Sequence, residues 1–176
     1  MFSISYTDRF GKDKSWQIAS RHSVPKCVSG EFDTPDAVVI VPFHETKKKL
    51  VVIAEYRVAI GGFQYGFPAG LIDKGETIAQ AGSRELTEET GLHVTAVEKT
   101  GPPVYSSTGM TDESVAMLYV SCEGEPSRAG NEGSEDIRTE FVSPQEAARL
   151  LSDAGQKFDV KTWLVLSFFA ATGRLW

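Results

Sequence analysis

Residues 70–92, GLIDKGETIAQAGSRELTEETGL, join a glycine-led turn to a helix that carries Glu85, Glu88 and Glu89 in its closing turns. Thr77 and Gln80 have capping-box spacing and Gly91 suits the position just past a helix end, so a helix is predicted after Gly75 and up to Gly91. Ala79, Gly82, Leu86 and Thr90 share one side, suited to close packing on a sheet, and the three glutamates lie within about 100° of one another on a different side. The acidic face is unfavourable twice. Carboxylates three or four residues apart repel by about 0.2–0.5 kcal/mol, and the last turn of a helix favours cations. A solvated face would interleave Lys or Arg four residues from each acid. Here the residue four beyond Glu85 is Glu89, and the nearby cations are Arg84 and, in the preceding loop, Lys74. The pattern fits a hard divalent cation such as magnesium, which takes oxygen ligands and shares them with a substrate phosphate.

Around this segment, Phe2–Tyr6 and Trp16–Arg21 flank a Gly-Lys-Asp turn and predict an N-terminal hairpin, followed by a connecting loop over 22–35. Ala37–Phe43 and Leu50–Tyr56 are β-branched runs separated by HETKKK, and read as strands. Residues 58–70, rich in Gly and aromatic residues, predict no regular element. Strands are expected at 93–98, 114–121 and 137–142, a helix opening at Ser143-Pro144-Gln145-Glu146, and a last helix after Asp159. This order predicts a mixed α+β domain. Two parts are expected: 1–35 as hairpin and connecting loop, and 36–176 as the main domain.

A chain of 176 residues with 41% hydrophobic content is expected to form a well-packed core. Its formal charge of −6 argues against nucleic-acid or anionic-membrane binding, and an anionic substrate must be met by local cations. MFSISYTDRF has no basic region followed by an apolar stretch, and Trp163–Ala171 is too short to span a bilayer, so a cytoplasmic protein is expected. Cys27 and Cys122 read as unrelated reduced thiols, and His22, His44 and His93 suggest no zinc site.

Gly70, Glu76 and Arg84-Glu85-Leu86-Thr87-Glu88-Glu89-Thr90-Gly91-Leu92 match the Nudix box at all nine of its constrained positions. AEYRVAIGGFQYGFPAGLID, GKDKSWQIASR and SEDIRTEFVSPQEAARLL are similar to the ADP-ribose pyrophosphatase branch of that superfamily. The resemblance implies an α/β/α sandwich around a mixed sheet with an N-terminal hairpin subdomain. It also implies magnesium-dependent hydrolysis of a nucleoside diphosphate linked to another moiety, with manganese as a substitute, and a homodimer. Glu85 and Glu89 become the principal metal ligands, Glu88 a further ligand or holder of metal-bound water, and the Ala69 carbonyl another ligand. Glu135 is carried over as general base, with Glu132 its competitor; Glu88 and Arg84 complete the catalytic set. Glu76 and Arg84 are expected to pair, and Gly70, Glu76 and Gly91 to shape the motif.

Trp16, Arg21, Arg57, Gly70, Thr108 and Glu113 are the substrate-contact candidates. Trp16 matches a base-stacking position that in the branch often acts across a dimer with exchanged N-terminal strands. Thr108 stands where the branch carries Pro, and Gly66 where relatives place a Glu, so another sugar nucleotide or a dinucleotide stays open; Asp112 or Glu113 is a candidate compensating carboxylate. The alternative function is a non-catalytic Nudix module that binds a nucleotide as sensor or scaffold.

Overall fold

The two β-branched runs form the centre of a sheet covered on both faces. The computed structural model describes residues 1–131, 133 and 135–175. Strand β3 (Ala37–His44) is buried except at Phe43, and β4 (Lys49–Arg57) is buried over 50–54. Such unbroken apolar runs suit strands packed on both sides. Val39 and Val41 enter one apolar cluster, Val38 and Ile40 the other, as the twofold period of a strand requires.

The hairpin β1 (Phe2–Thr7) and β2 (Asp13–Ile18) precedes a short helix α1 (Lys26–Ser29). After β4 come β5 (Gly62–Gly66), β6 (Ala69–Leu71), α2 (Ile78–Thr90), β7 (His93–Tyr105), β8 (Ser114–Glu123), β9 (Ile137–Val142), α3 (Pro144–Ser152) and α4 (Val160–Thr172). Seven strands form one mixed sheet in the order β5-β4-β3-β8-β7, with β6 also pairing β3 and β9 also pairing β4. β3 and β8 run parallel; the other pairs are antiparallel. Ala81 and Leu86 of α2 join the Val38 cluster, whereas Ala147 of α3 and Leu166 and Phe169 of α4 join the Val39 cluster. The protein is thus the expected α+β sandwich, with helices on both faces of a mixed sheet.

Both expected capping boxes form, at Thr77 and at Ser143, and Asp159 caps α4. Four expectations need correction. Residues 58–70 hold a 3-10 turn (Val58–Ile60) and strands β5 and β6, because pairing with β4 and β3 supplies the order that the glycines hide. Ala79 is exposed, and Ala81 is buried instead, in the cluster that also takes Ile72 and Ile78. β7 runs on to Tyr105 through Gly101-Pro102-Pro103; it lies at the sheet edge, with register shifts that absorb the prolines. The connecting loop over 22–35 contains α1.

Candidate active site

Gly70 and Glu85 meet where the turn folds back over α2. A Cβ at Gly70 would overlap the Glu85 carboxyl group, so glycine here is a matter of close approach. One residue earlier, the Ala69 N–H donates to Glu89 Oε2 at 3.2 Å. β6 therefore lies along the acidic face, with its backbone against two of the three box glutamates.

Arg84 ties the same turn to the helix. Its Nε donates to Glu76 Oε1 at 3.0 Å and its Nη2 to Glu76 Oε2 at 2.9 Å, a two-pronged pair, and Nη2 also reaches the Leu71 carbonyl at 3.1 Å. Nη1 bridges Glu85 at 2.6 Å and Glu88 at 3.1 Å. Arg84 thus spreads one charge over three carboxylates. The pairing pulls Glu76 down to about 2.

Glu89 has no such help. It is 6% exposed, and burial, followed by the charges of Glu55, Glu85 and Glu135, overcomes the Ala69 hydrogen bond and pushes its pKa up to about 9. Burial likewise raises Glu85 and Glu55, and the charge of Glu135 adds to both. The sheet explains how Glu135 arrives there. β9 pairs with β4 so that Ile137 stands opposite Glu55, and the Tyr56 N–H donates to the Asp136 carbonyl at 3.1 Å. The loop end is thereby pinned beside the box. Glu132 lies outside the described residues.

Glu55 is the residue that sequence reasoning missed. It follows the apolar run Leu50–Ala54 within β4 and shares the parity of Val51, which packs with α2. That lone acid on the face toward the acidic helix is the signal that could have found it. Gly66 pairs with Ile53 on the adjacent strand and brings no carboxylate of its own.

A hollow of about 230 Å³ opens beside this cluster, lined among others by Arg21, Glu55, Arg57, Gly66, Gly70 and Glu113. Both arginines are paired: Arg57 Nη1 with Glu55 at 2.8 Å and Arg21 Nε with Glu113 at 2.7 Å. Asp112 faces elsewhere, accepting from Ser20 Oγ and from the Lys26 N–H. Trp16 and Thr108 line a separate, largely apolar hollow with Phe32 and Tyr105. Trp16 is 51% exposed, with its indole N–H on the Gly109 carbonyl at 3.2 Å. Both cysteines are free thiols, Cys27 exposed and Cys122 buried.

The donors of Glu85, Glu88, Glu89 and the Ala69 carbonyl are all oxygen, which fits magnesium or manganese rather than zinc. Among the described residues no three His, Cys, Asp or Glu side chains form a ready-made cage. Magnesium does not require such a cage, because it binds through one or two carboxylates plus substrate phosphates.

The NUDIX domain model matches residues 33–164. This chain belongs to the Nudix family. It is 31% identical over 68% of its length to an ADP-ribose pyrophosphatase of Saccharomyces cerevisiae, covering 51% of that protein. It is 29% identical over 72% of its length to an ADP-sugar pyrophosphatase of Mus musculus, covering 56% of that protein. With an ADP compounds hydrolase of Escherichia coli (strain K12) it shares 38% identity over 51% of its length and 50% of the relative's. The chain thus spans about half the length of these curated relatives. A crystal structure of an ADP compounds hydrolase has the same fold, with a TM-score of 0.64 over 98% of this Nudix chain and 86% of that one, at 22% identity.

Proposed function

We propose that this Nudix chain hydrolyses the pyrophosphate bond of a nucleoside diphosphate linked to another moiety, ADP-ribose or a related ADP- or GDP-sugar. The products are a nucleoside monophosphate and a sugar phosphate. The observation that carries the reading is that the β6 backbone lies against Glu85 and Glu89 beside a hollow lined by Glu55, Arg21 and Arg57. Carboxylates placed there suit a divalent cation shared with substrate phosphates, and the two arginines suit an anionic substrate. The names of the relatives favour an ADP-linked substrate.

Magnesium, or manganese in its place, would be held by Glu85, Glu89, Glu88 and the Ala69 carbonyl, and would supply a lowered water pKa and neutralised phosphate charge. Arg57 and Arg21 hold the diphosphate oxygens. Glu135 accepts the proton of the attacking water, a role its place at the pinned end of the loop favours. Arg84 and Glu76 keep the turn closed on the helix, and so keep the Ala69 carbonyl and Glu85 together.

We assign the 1–35 arm to assembly and substrate binding and the remainder to catalysis, in a cytoplasmic homodimer. The hairpin strands pair only with one another in the sheet topology of the described residues, and a lone two-stranded hairpin is marginally stable. Trp16, set apart from the box in its own chain, would then stack on a base in the neighbouring subunit's site. Deleting residues 1–21 should weaken both dimerisation, read by light scattering, and substrate binding; a truncated dimer with unchanged KM refutes the exchange. No helix among the described residues is long and apolar enough to cross a membrane.

The deciding experiment is turnover of ADP-ribose, GDP-mannose, NADH and diadenosine polyphosphates with magnesium. Glu135→Gln should lower kcat by about 10²-fold with little change in KM. Binding without turnover of any of them would instead support a non-catalytic nucleotide-binding module.

A further inference from the structure

We propose that the buried Lys26–Asp36 pair is a positioning device for the substrate hollow, fixing Arg21 and Glu113 at its wall and so setting affinity for the anionic substrate. The substrate named here rests on the pyrophosphatase reading; the geometry does not. Lys26 is 2% exposed, and its ammonium donates to Asp36 Oδ2 at 2.8 Å, Ser114 Oγ at 2.8 Å and the Thr34 carbonyl at 3.2 Å. All three protons are used. Asp36 Oδ2 also accepts from the Ser114 N–H at 2.8 Å, and its Oδ1 lies 2.6 Å from His22 Nε2.

Three consecutive residues hold the arm in turn. Asp112 Oδ2 accepts from Ser20 Oγ at 2.9 Å and the Lys26 N–H at 2.8 Å; Glu113 accepts from Arg21 Nε at 2.7 Å; Ser114 closes the Lys26–Asp36 pair. The Ala19 N–H adds a bond to the Met110 carbonyl at 2.7 Å. Arg21 and Glu113 are the rungs of this ladder that reach the hollow.

A buried ion pair is a poor means of stabilisation, since well-packed apolar residues often do as well. What it supplies is direction. The Arg21 side chain is 59% exposed and would otherwise sample many rotamers. Held by Nε on Glu113, it presents Nη1 and Nη2 to an anion already ordered, which lowers the entropy lost on binding. Glu113 stands between Asp112, which accepts from the Lys26 N–H, and Ser114, which bonds both Lys26 and Asp36, so the buried pair steadies the segment that holds Arg21.

The test compares wild type, Arg21→Ala, the double variant Lys26→Met/Asp36→Asn and their combination. The double variant removes both charges together, so no buried ion is orphaned. The first readout is the Arg21 Nε–H resonance in the substrate-free protein, expected to be protected from solvent exchange in wild type and exposed in the double variant. The second is turnover of ADP-ribose: Arg21→Ala and the double variant should each raise KM about tenfold and leave kcat and magnesium affinity within about twofold. Their combination should add little, since one acts through the other. Ser20→Ala removes a single rung and is expected to lower the protection in part, which keeps the proposal testable should the double variant not fold. An unchanged Arg21 resonance in folded variants, or fully additive KM effects, overturns it. If wild type hydrolyses nothing in the panel, the pyrophosphatase reading fails while the resonance still decides the positioning.

Discussion

Glu89 and Asp36 are both carboxylates whose side chains are almost wholly enclosed, yet their pKa values move in opposite directions. At Glu89, burial and the charges of Glu55, Glu85 and Glu135 push it up to about 9. At Asp36, burial also pushes upward, but the hydrogen bonds from Lys26, Ser114 and His22 outweigh it and hold the group below its usual 3.8. Burial sets the cost, and partners decide the sign. The arm supplies its own cation, whereas the box helix gathers acids without enough of them, and that deficit is what marks a functional site.

The largest test of this contrast removes the deficit. On the proposed metal site, Glu85→Gln and Glu89→Gln should each lower magnesium-dependent hydrolysis of ADP-ribose by at least about 10²-fold, because each would delete the charge of a ligand oxygen. Both proteins should keep their fold and melt no lower than wild type in EDTA. Near-normal activity in either would remove that glutamate from the metal site.

Gly70→Ala comes next. The added methyl displaces the Glu85 carboxyl group, so activity should fall about tenfold or more while α2 remains folded. Circular dichroism and turnover separate the two effects.

A proton linkage follows from Glu89. Its folded pKa lies above the usual 4.5, so its contribution to the stability of the metal-free protein is present below 4.5 and is lost as pH rises through about 9. A metal held by Glu89, as proposed, would displace that proton. Apparent magnesium affinity should therefore rise with pH across this window, by up to about tenfold per unit, and calorimetry in buffers of different ionisation enthalpy should find close to one proton released per ion. Glu89→Gln should abolish that release.

Asp36 gives the smallest effect and the opposite sign. Its folded pKa is lowered, so its contribution is present above 3.8 and lost as pH falls through the folded value. Below about pH 4 wild type should lose stability more steeply than Lys26→Met/Asp36→Asn in acid denaturation. Parallel curves would mean that the pair contributes nothing to acid stability.

Relations between near neighbours along the chain are legible in the amino-acid sequence. The Arg84–Glu76 pair follows from the family resemblance, whereas the capping box at Thr77, the helix end at Gly91 and the phase of the glutamates each join residues within about one turn of the helix. Periodicity and capping report such relations directly. Contacts between distant segments are not legible there. Strand β5 needed β4 beside it, Glu55 needed the register that sets it opposite Ile137, and Arg21 met Glu113 across 92 positions, as Lys26 met Ser114 across 88. No local pattern encodes contacts of that span, because a strand or loop residue acquires its partners only when sheet register brings distant segments together.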